Sequence, residues 1–394
     1  MLLLNITLRN FRSHRSSHFT LKNGFNLITG PNGIGKTNIL DAIHYTALSR
    51  SFRTHRDDHG LRTGADHFEV KATYQQPSGR EKQVRVAFVP DQPKRIDING
   101  VKLDRLTDII GAFPVVVFSP DDYQITAGGP EERRKFVDNL LCQSSPSYLT
   151  ALLRYRRALK QRNALLAQRT PIDRTVQRAS IYAWTNELAT HGAEIMRQRS
   201  TLTDQFGIYL EEAYQQVADH VEHPAIVYAP NPTFNTGADD QRFDKNLTVD
   251  DLKTQLLETY EGRLQQDLDQ RRTTRGPHRD DLHFYMNEQP VRQFASQGQH
   301  RTFGLALKLA QRAYTETKTD QVPLLLLDDA FDSLDPERTE AFITYLTAAS
   351  AGQTIATTAH PRGFERLFPD PDGRHQNIHL HWDGPEGELG AILT

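Results

Sequence analysis

Apolar and polar residues alternate from the first positions, Leu2, Leu4, Ile6 and Leu8, a period of two that predicts a half-buried strand. A second strand is expected around Phe19 to Leu21, followed by the turn Lys22-Asn23-Gly24 and a third strand from Phe25 to Thr29. A glycine-rich loop comes next. Beyond it Ile39, Ile43 and Ala47 recur at helical spacing across Asn38 to Leu48, with no proline to interrupt them. Period-two runs return at Phe68 to Tyr74 and Lys82 to Val89. Arg95 to Ile98 then ends in Asn99-Gly100, a pair that tolerates the positive φ of a tight hairpin. Together these predict a small antiparallel sheet.

Val115 to Phe118 is apolar throughout and bounded by Pro114 and Pro120, as suits a strand buried on both faces of a mostly parallel sheet. The pattern then changes. From about Glu131 to His220 the residues favour helix, and Pro146 and Pro171 stand where two long helices would begin. Val176, Ile181, Trp184, Leu188 and Ile195 set apolar side chains along one side of the second, which reads as an antiparallel helical arm. Pro224 to Asp251 is polar and loop-rich with one strand at Ala225 to Tyr228, and Asp250 to Gln270 is helical again. Helix and strand alternate to the end: Gln299 to Thr315, Leu324 to Leu327, Pro336 to Ala349, Thr354 to Thr358. The expected class is α/β, a mixed sheet with helices and an inserted helical arm lobe. Residues 1–125 and 281–394 would form the α/β lobe and 126–280 the arm lobe.

Two lobes also suit 394 residues, since single cores stop growing around ~250. The longest apolar runs, Val322 to Leu327 and Val115 to Phe118, fall far below the roughly 20 residues of a membrane span, so no membrane partner is expected. No basic region precedes the first apolar residues, which argues against a signal peptide and for a cytoplasmic protein. The single cysteine, Cys142, excludes an internal disulfide and a multi-thiolate metal site, and reads as buried filler. The 16 histidines are scattered without ligand-like spacing. A formal net charge of -2 offers no argument for nucleic acid, yet Glu131 to Ser200 carries 13 Lys and Arg against 6 Asp and Glu.

Candidate chemistry centres on Gly30-Pro31-Asn32-Gly33-Ile34-Gly35-Lys36-Thr37, which satisfies G-x-x-x-x-G-K-[ST] between a strand and a helix. Glycines let backbone N–H groups converge on phosphate oxygens, and the helix N-terminus adds partial positive charge. Lys36 is expected to reach the β- and γ-phosphates of ATP, and the Thr37 hydroxyl to ligate Mg²⁺. The buried run Leu324 to Leu327 ends in Asp328-Asp329: Asp328 would hold the metal through water and Asp329 would polarise the attacking water. Ser296-Gln297-Gly298-Gln299, just before a helix, looks like an ATP-binding-cassette signature. Ser296 and Gln299 also have capping-box spacing, and a cap is compatible with a phosphate donor. One chain cannot fold this helix onto its own P-loop in the usual cassette geometry, so the γ-phosphate would be reached from a second subunit. Ser333-Leu334-Asp335 resembles the D-loop at such a dimer seam, and His360, after the last of these strands, resembles the switch histidine.

With Asn10-Phe11-Arg12, Leu48-Ser49-Arg50-Ser51-Phe52-Arg53-Thr54, Arg133-Arg134-Lys135-Phe136-Val137-Asp138 and Gly276-Pro277-His278-Arg279-Asp280-Asp281-Leu282, this order of motifs is similar to the RecF family of bacterial recombination and gap-repair proteins. The resemblance spans nearly the whole chain. It implies an ABC-type P-loop ATPase head like those of Rad50 and the SMC proteins, with a short helical arm in place of a long coiled coil. It also implies Arg12 among the nucleotide contacts, an ATP-dependent homodimer on DNA at duplexes and single-strand/duplex junctions, partnership with RecR and RecO, and help in placing RecA at gaps. Gln297 replaces the first glycine of the transporter signature, Ala295 its leucine, and Asp329 its glutamate, so slow, switch-like hydrolysis is expected.

DNA contacts are expected from Arg50, Arg53 and Arg56 after the P-loop helix and from Arg154, Arg157 and Lys160 along the arm, where helical spacing can align charge. A solvated arm face is an equal reading of the latter. No base-reading module is present, so binding without sequence specificity is expected. The rival readings are a transporter ATPase, a small-metabolite kinase and a scaffold whose ATP site is structural.

Overall fold

In the computed structural model, which describes residues 1–168, 174–218, 222–231, 243–244, 246–331, 336–347, 352–360, 364, 372–383 and 388–393, the opening alternation forms β1 (Leu2–Phe11). It turns at Arg12-Ser13 into β2 (His14–Thr20). β2 begins earlier than its apolar end suggests, because the polar His14 to His18 run along β1 as an outer strand. β3 (Phe25–Thr29) is buried at every residue and leads through the glycine-rich loop to α1 (Lys36–Leu48). β4 (Phe68–Gln75), β5 (Glu81–Phe88), β6 (Arg95–Ile98) and β7 (Val101–Lys102) extend the first sheet in the order β2-β1-β4-β5-β6-β7. The last hairpin turns at Asn99 (φ 50°) and Gly100 (φ 79°), the positive φ pair anticipated from Asn-Gly. β8 (Val115–Phe118) follows.

The chain divides into two compact units: Met1–Asp122 with Ala213–Asp219 and Arg301–Thr394, and Tyr123–Glu212 with His220–His300. The second contains α2 (Gln124–Ala127), α3 (Pro130–Ser144), α4 (Pro146–Leu166) and most of α5 (Arg174–Val217), the long helices of the arm. Pro171 lies outside the described residues. Pro130 and Pro146 open their helices at a position where the missing N–H is no loss. Ile181, Leu188 and Ile195 are buried along α5 as the stripe predicts. Trp184 is half-buried, and Val176, in the first turn of α5, is 61% exposed. Cys142 is half-buried, not buried filler. β9 (Pro224–Ala229) is followed by α6 (Val249–Gly262) and α7 (Leu264–Gln270), which split the single helix expected there, at Arg263 just after Gly262, a poor helix former. β10 (Asp281–Met286) and β11 (Gln289–Pro290) complete a small sheet, β11-β10-β9, and α8 (Val291–Phe294) precedes the candidate signature.

Two family-like segments meet inside this unit. The Arg199 guanidinium, fully buried, donates to Asp138 at 2.8 Å, Asp280 at 3.0 Å, the Pro277 carbonyl at 2.8 Å and the Tyr148 hydroxyl at 3.0 Å. Arg133 forks onto Asp281 at 2.7 and 3.0 Å, and Tyr228 donates to Asp280. Burial drives the Asp280 carboxyl upward in pKa while Arg199 opposes it. These charges tie α3, α4 and α5 to the loop before β10, which gives those segments a structural role.

The first unit is completed by most of α9 (Gln297–Thr319), from Arg301 on, and by β12 (Leu324–Asp328), α10 (Pro336–Thr347), β13 (Thr354–Thr358), β14 (Gln376–Asp383) and β15 (Glu388–Leu393). The second large sheet runs β15-β14-β3-β13-β12-β8, parallel except for β15. One core joins both sheets through α1: Leu3, Ile6, Leu8 and Val70 on one side, Ile39, Leu40 and Ile43 of the helix, and Ile28, Leu326, Ile355 and Ile378 on the other. The Gln353 amide, 2% exposed, bonds the Leu3 N–H at 2.6 Å and its carbonyl at 2.8 Å, fastening β1 to the start of β13. Among the described residues no helix is long and apolar enough to cross a membrane.

Candidate nucleotide-binding site

β3 ends at the loop because Gly30 (φ 145°) and Gly35 (φ 111°) take backbone angles that only glycine adopts freely. A Cβ on Gly30 would sit 2.7 Å from the Leu380 carbonyl, and one on Gly35 would sit 2.5 Å from Ser13 Oγ. The loop is thus seated against β14 on one side and the β1–β2 turn on the other. His14, fully buried, meets the Gly35 carbonyl at 3.1 Å and Ser17 Oγ at 2.9 Å, and its burial lowers its pKa. Asn38 donates to Ser13 at 2.9 Å. Pro31, Asn32 and Gly33 form the exposed crest, whereas Ile34 is in the core.

Lys36 is 6% exposed, and its ammonium donates to the Gly30 carbonyl at 2.8 Å and the Pro31 carbonyl at 3.2 Å, so it lies across the loop it follows. The Thr37 hydroxyl donates to Asp328 at 2.7 Å, which brings the hydroxyl and the strand-end carboxylate together. Thr357 on β13 was not foreseen. Its hydroxyl donates to Asp328 at 3.0 Å and accepts the Asp329 N–H at 3.1 Å, so it orients both acidic residues. The parallel register that pairs Asp328 with Thr357 is the signal, and only knowledge of strand order could have revealed it. Burial raises the Asp328 pKa; the Thr37 and Thr357 hydroxyls and the charge of Arg53 lower it, and Asp41 raises it. Asp329 turns into the left-handed region at φ 46°, which an aspartate tolerates. His360 follows β13 with an exposed side chain, its N–H bonded to Thr358 Oγ1 at 3.1 Å. Ser333, Leu334 and Asp335 lie outside the described residues.

Arg12 holds the P-loop helix. Its guanidinium donates to Asp41 at 2.5 and 2.9 Å and to Ser51 at 3.1 Å, and Asp41 also accepts from Ser51 Oγ at 2.8 Å and the Phe52 N–H at 3.0 Å. The family-like stretch Leu48 to Thr54 is therefore folded around the Asp41 carboxylate. Arg53 and Arg56 are exposed, but Arg56 is engaged by Asp58; Arg50 is exposed as well. In the second unit the expected capping box forms: Ser296 Oγ accepts the Gln299 N–H at 3.2 Å, and Gln299 accepts the Ser296 N–H at 2.9 Å. Gln299 also donates to Glu222 at 2.7 Å, while Ser296 and Gly298 are exposed. Arg154, Arg157 and Lys160 are all exposed on α4.

The family described as RecF/RecN/SMC N terminal domain matches residues 2–368. The DNA replication and repair protein RecF of Salinibacter ruber is 40% identical over 100% of this chain and 92% of its own length. That of Chloroherpeton thalassium is 38% identical over 93% and 97%. The chain belongs to the RecF family. Among solved structures, the recombination mediator protein RecF-ATP of the RecFOR pathway matches with a TM-score of 0.84 at 26% identity over 99% of both chains. The Pyrococcus furiosus Smc head domain with an extended coiled coil matches with a TM-score of 0.57 at 15% identity over 100% of this chain and 96% of that one, a likeness of fold. The first unit therefore has the ABC ATPase head that RecF and SMC proteins share, as the motif order led one to expect.

Proposed function

We propose that this protein is an ATP-dependent DNA-binding ATPase of replication and recombinational gap repair, two copies closing around two ATP with slow hydrolysis serving as a switch. The observation that carries it is the Thr37 hydroxyl 2.7 Å from Asp328, with Asp329 next in the chain and both residues bonded to Thr357. A hydroxyl and a carboxylate form a hard oxygen pair that suits Mg²⁺, a cation that retains most of its waters. On this reading Thr37 and Asp328 hold the metal, which supplies charge neutralisation at the phosphates. Gly30 to Gly35 cradle the phosphates, Lys36 swings from its loop carbonyls to the γ-phosphate, and Asp329 orients water. Ser296, Gly298, Gln299 and Asp335 act across the seam on the partner's nucleotide, and His360 senses the γ-phosphate. Arg12 supports the site through Asp41, a positioning role that the Asp41–Ser51 bonds favour over direct nucleotide contact. DNA, RecR and RecO, and through them RecA, are the partners that family membership supports.

The test is molar mass in solution with and without ATP and Mg²⁺, for wild type and Ser296→Arg, repeated with duplex DNA. An ATP-driven dimer that retains DNA and is lost in the variant is expected, with turnover below ~10 s⁻¹, a typical enzyme value. A protein that binds ATP and stays monomeric would refute the sandwich.

A further inference from the structure

An open groove of about 640 Å³ runs between α4 and α5, lined by Arg154, Arg157, Ala183, Trp184, Asn186 and Glu187. Its two walls differ in kind. α4 carries five cations, Arg154, Arg156, Arg157, Lys160 and Arg162, and no carboxylate. Two of the five are committed elsewhere: Arg162 is buried against Asp267 at 2.7 Å, and Arg156 reaches Asp138 at 3.1 Å. Arg154, Arg157 and Lys160 follow one another at three-residue spacing, which sets them on one side of the helix, and none has an ion-pair partner among the described residues. The α5 wall instead presents a half-buried indole, an amide and one carboxylate.

We propose that this groove binds unpaired nucleotides of DNA, with phosphates on Arg154 and Arg157 and a base stacked on Trp184. The inference rests on the DNA-binding reading above and names the part of the DNA that the arm takes. A cationic wall opposite an aromatic one is the arrangement that single strands use: the backbone follows positive charge while each base offers a π-face whatever its identity. Asn186 adds a donor and an acceptor for a base edge. Glu187, which meets His191 at 3.2 Å, sets a carboxylate on the α5 wall, so phosphate is favoured on the α4 wall. A duplex buries the faces of its bases and can use only the α4 wall. The groove therefore distinguishes a gap from continuous duplex without reading sequence.

The protein has two tryptophans, so Trp382→Phe leaves Trp184 as the sole indole reporter. Trp382 is half-exposed on β14 and belongs to no part of the proposed site. Oligothymidylate should quench the Trp184 emission of this full-length variant, and a blunt duplex of equal length should not. Trp184→Ala should weaken oligothymidylate binding, followed by anisotropy of labelled DNA, by about tenfold, the loss of one stacked base, and Trp184→Phe should keep most of it. Arg154→Glu with Arg157→Glu should reduce the salt dependence of that binding. Helical content by circular dichroism verifies that each variant is folded. If both DNAs bind but neither quenches Trp184, or both quench it equally, the groove is not a single-strand site and the inference falls, while the DNA-binding reading stands. If neither DNA is retained at low salt, the DNA-binding reading itself falls.

Discussion

Replacing Thr357 by valine removes one hydroxyl that touches both acidic residues at the end of β12. It donates to Asp328 at 3.0 Å and accepts the Asp329 N–H at 3.1 Å. A hydrogen bond to a charged group contributes about 1.5–3 kcal/mol, and one pKa unit corresponds to about 1.4 kcal/mol. Thr37 still donates to Asp328 at 2.7 Å, so the lower end of that range applies. The Asp328 pKa, already raised by burial, should then climb further. Since the carboxylate must be ionised to take Mg²⁺, the acid limb of metal-dependent nucleotide binding should move to higher pH, and affinity at a fixed pH on that limb should fall by about tenfold, the equivalent of ~1.4 kcal/mol. The assay is the affinity for a fluorescent ATP analogue across the acid range, with Mg²⁺ and with chelator. Thr357→Val should shift the limb only when Mg²⁺ is present, and Thr357→Ser should restore it. A limb at the same pH in wild type and Thr357→Val would refute the assigned role, because general loosening of the fold would lower affinity without moving the titration.

His44 and His278 are each pushed down to about 4 by burial from an ordinary value of 6.5, so the folded state binds fewer protons than the unfolded chain between those values. Stability should therefore fall as pH drops from about 6.5 toward 4, by about 2 kcal/mol per histidine at pH 5, and His44→Gln should flatten the denaturant midpoint against pH; an unchanged slope would count against it. Arg199→Met leaves Asp280 buried without its guanidinium, and Asp138 with only Arg156 at 3.1 Å, and should destabilise the second unit by about 3–5 kcal/mol. Faster hydrogen exchange along α4 and α5 with intact ATP-analogue binding is the expected pattern, and unchanged exchange would sink it. Gly30→Ala should fold, yet lose nucleotide affinity, because the added Cβ meets the Leu380 carbonyl and the φ of 145° is strained; wild-type affinity would show that the loop adapts.

Strands with uniform surroundings were legible in the sequence: β3 and β13 are buried at every residue and β8 at all but Val117, and all three begin and end where the sequence places them. β10 was passed over although Leu282, Phe284 and Met286 alternate, because its polar partners include the charged pair before it, which masks the period. β14 hid for a similar reason, with His379 and His381 alternating with Ile378 and Leu380. The P-loop, the acidic pair and the signature cap were readable because each is a local pattern. Thr357 was not, since its role arises only when parallel pairing lays β13 beside β12. Arg12 was assigned from resemblance alone, and its bond to Asp41 depends on a turn no periodicity announces.

Eleven of the thirteen residues of α1 are buried, and the helix lies in one core with both sheets. A genetic screen for loss of ATP binding should therefore return lesions in the antiparallel sheet, at Leu8 or Val70, as readily as in the P-loop. Such alleles would show no defect in any group that touches nucleotide. Suppressors should arise as compensating volume changes on the opposite side of α1, at Ile28, Leu326 or Ile355, which makes heritable epistasis across this helix a record of how phosphate binding is held in place.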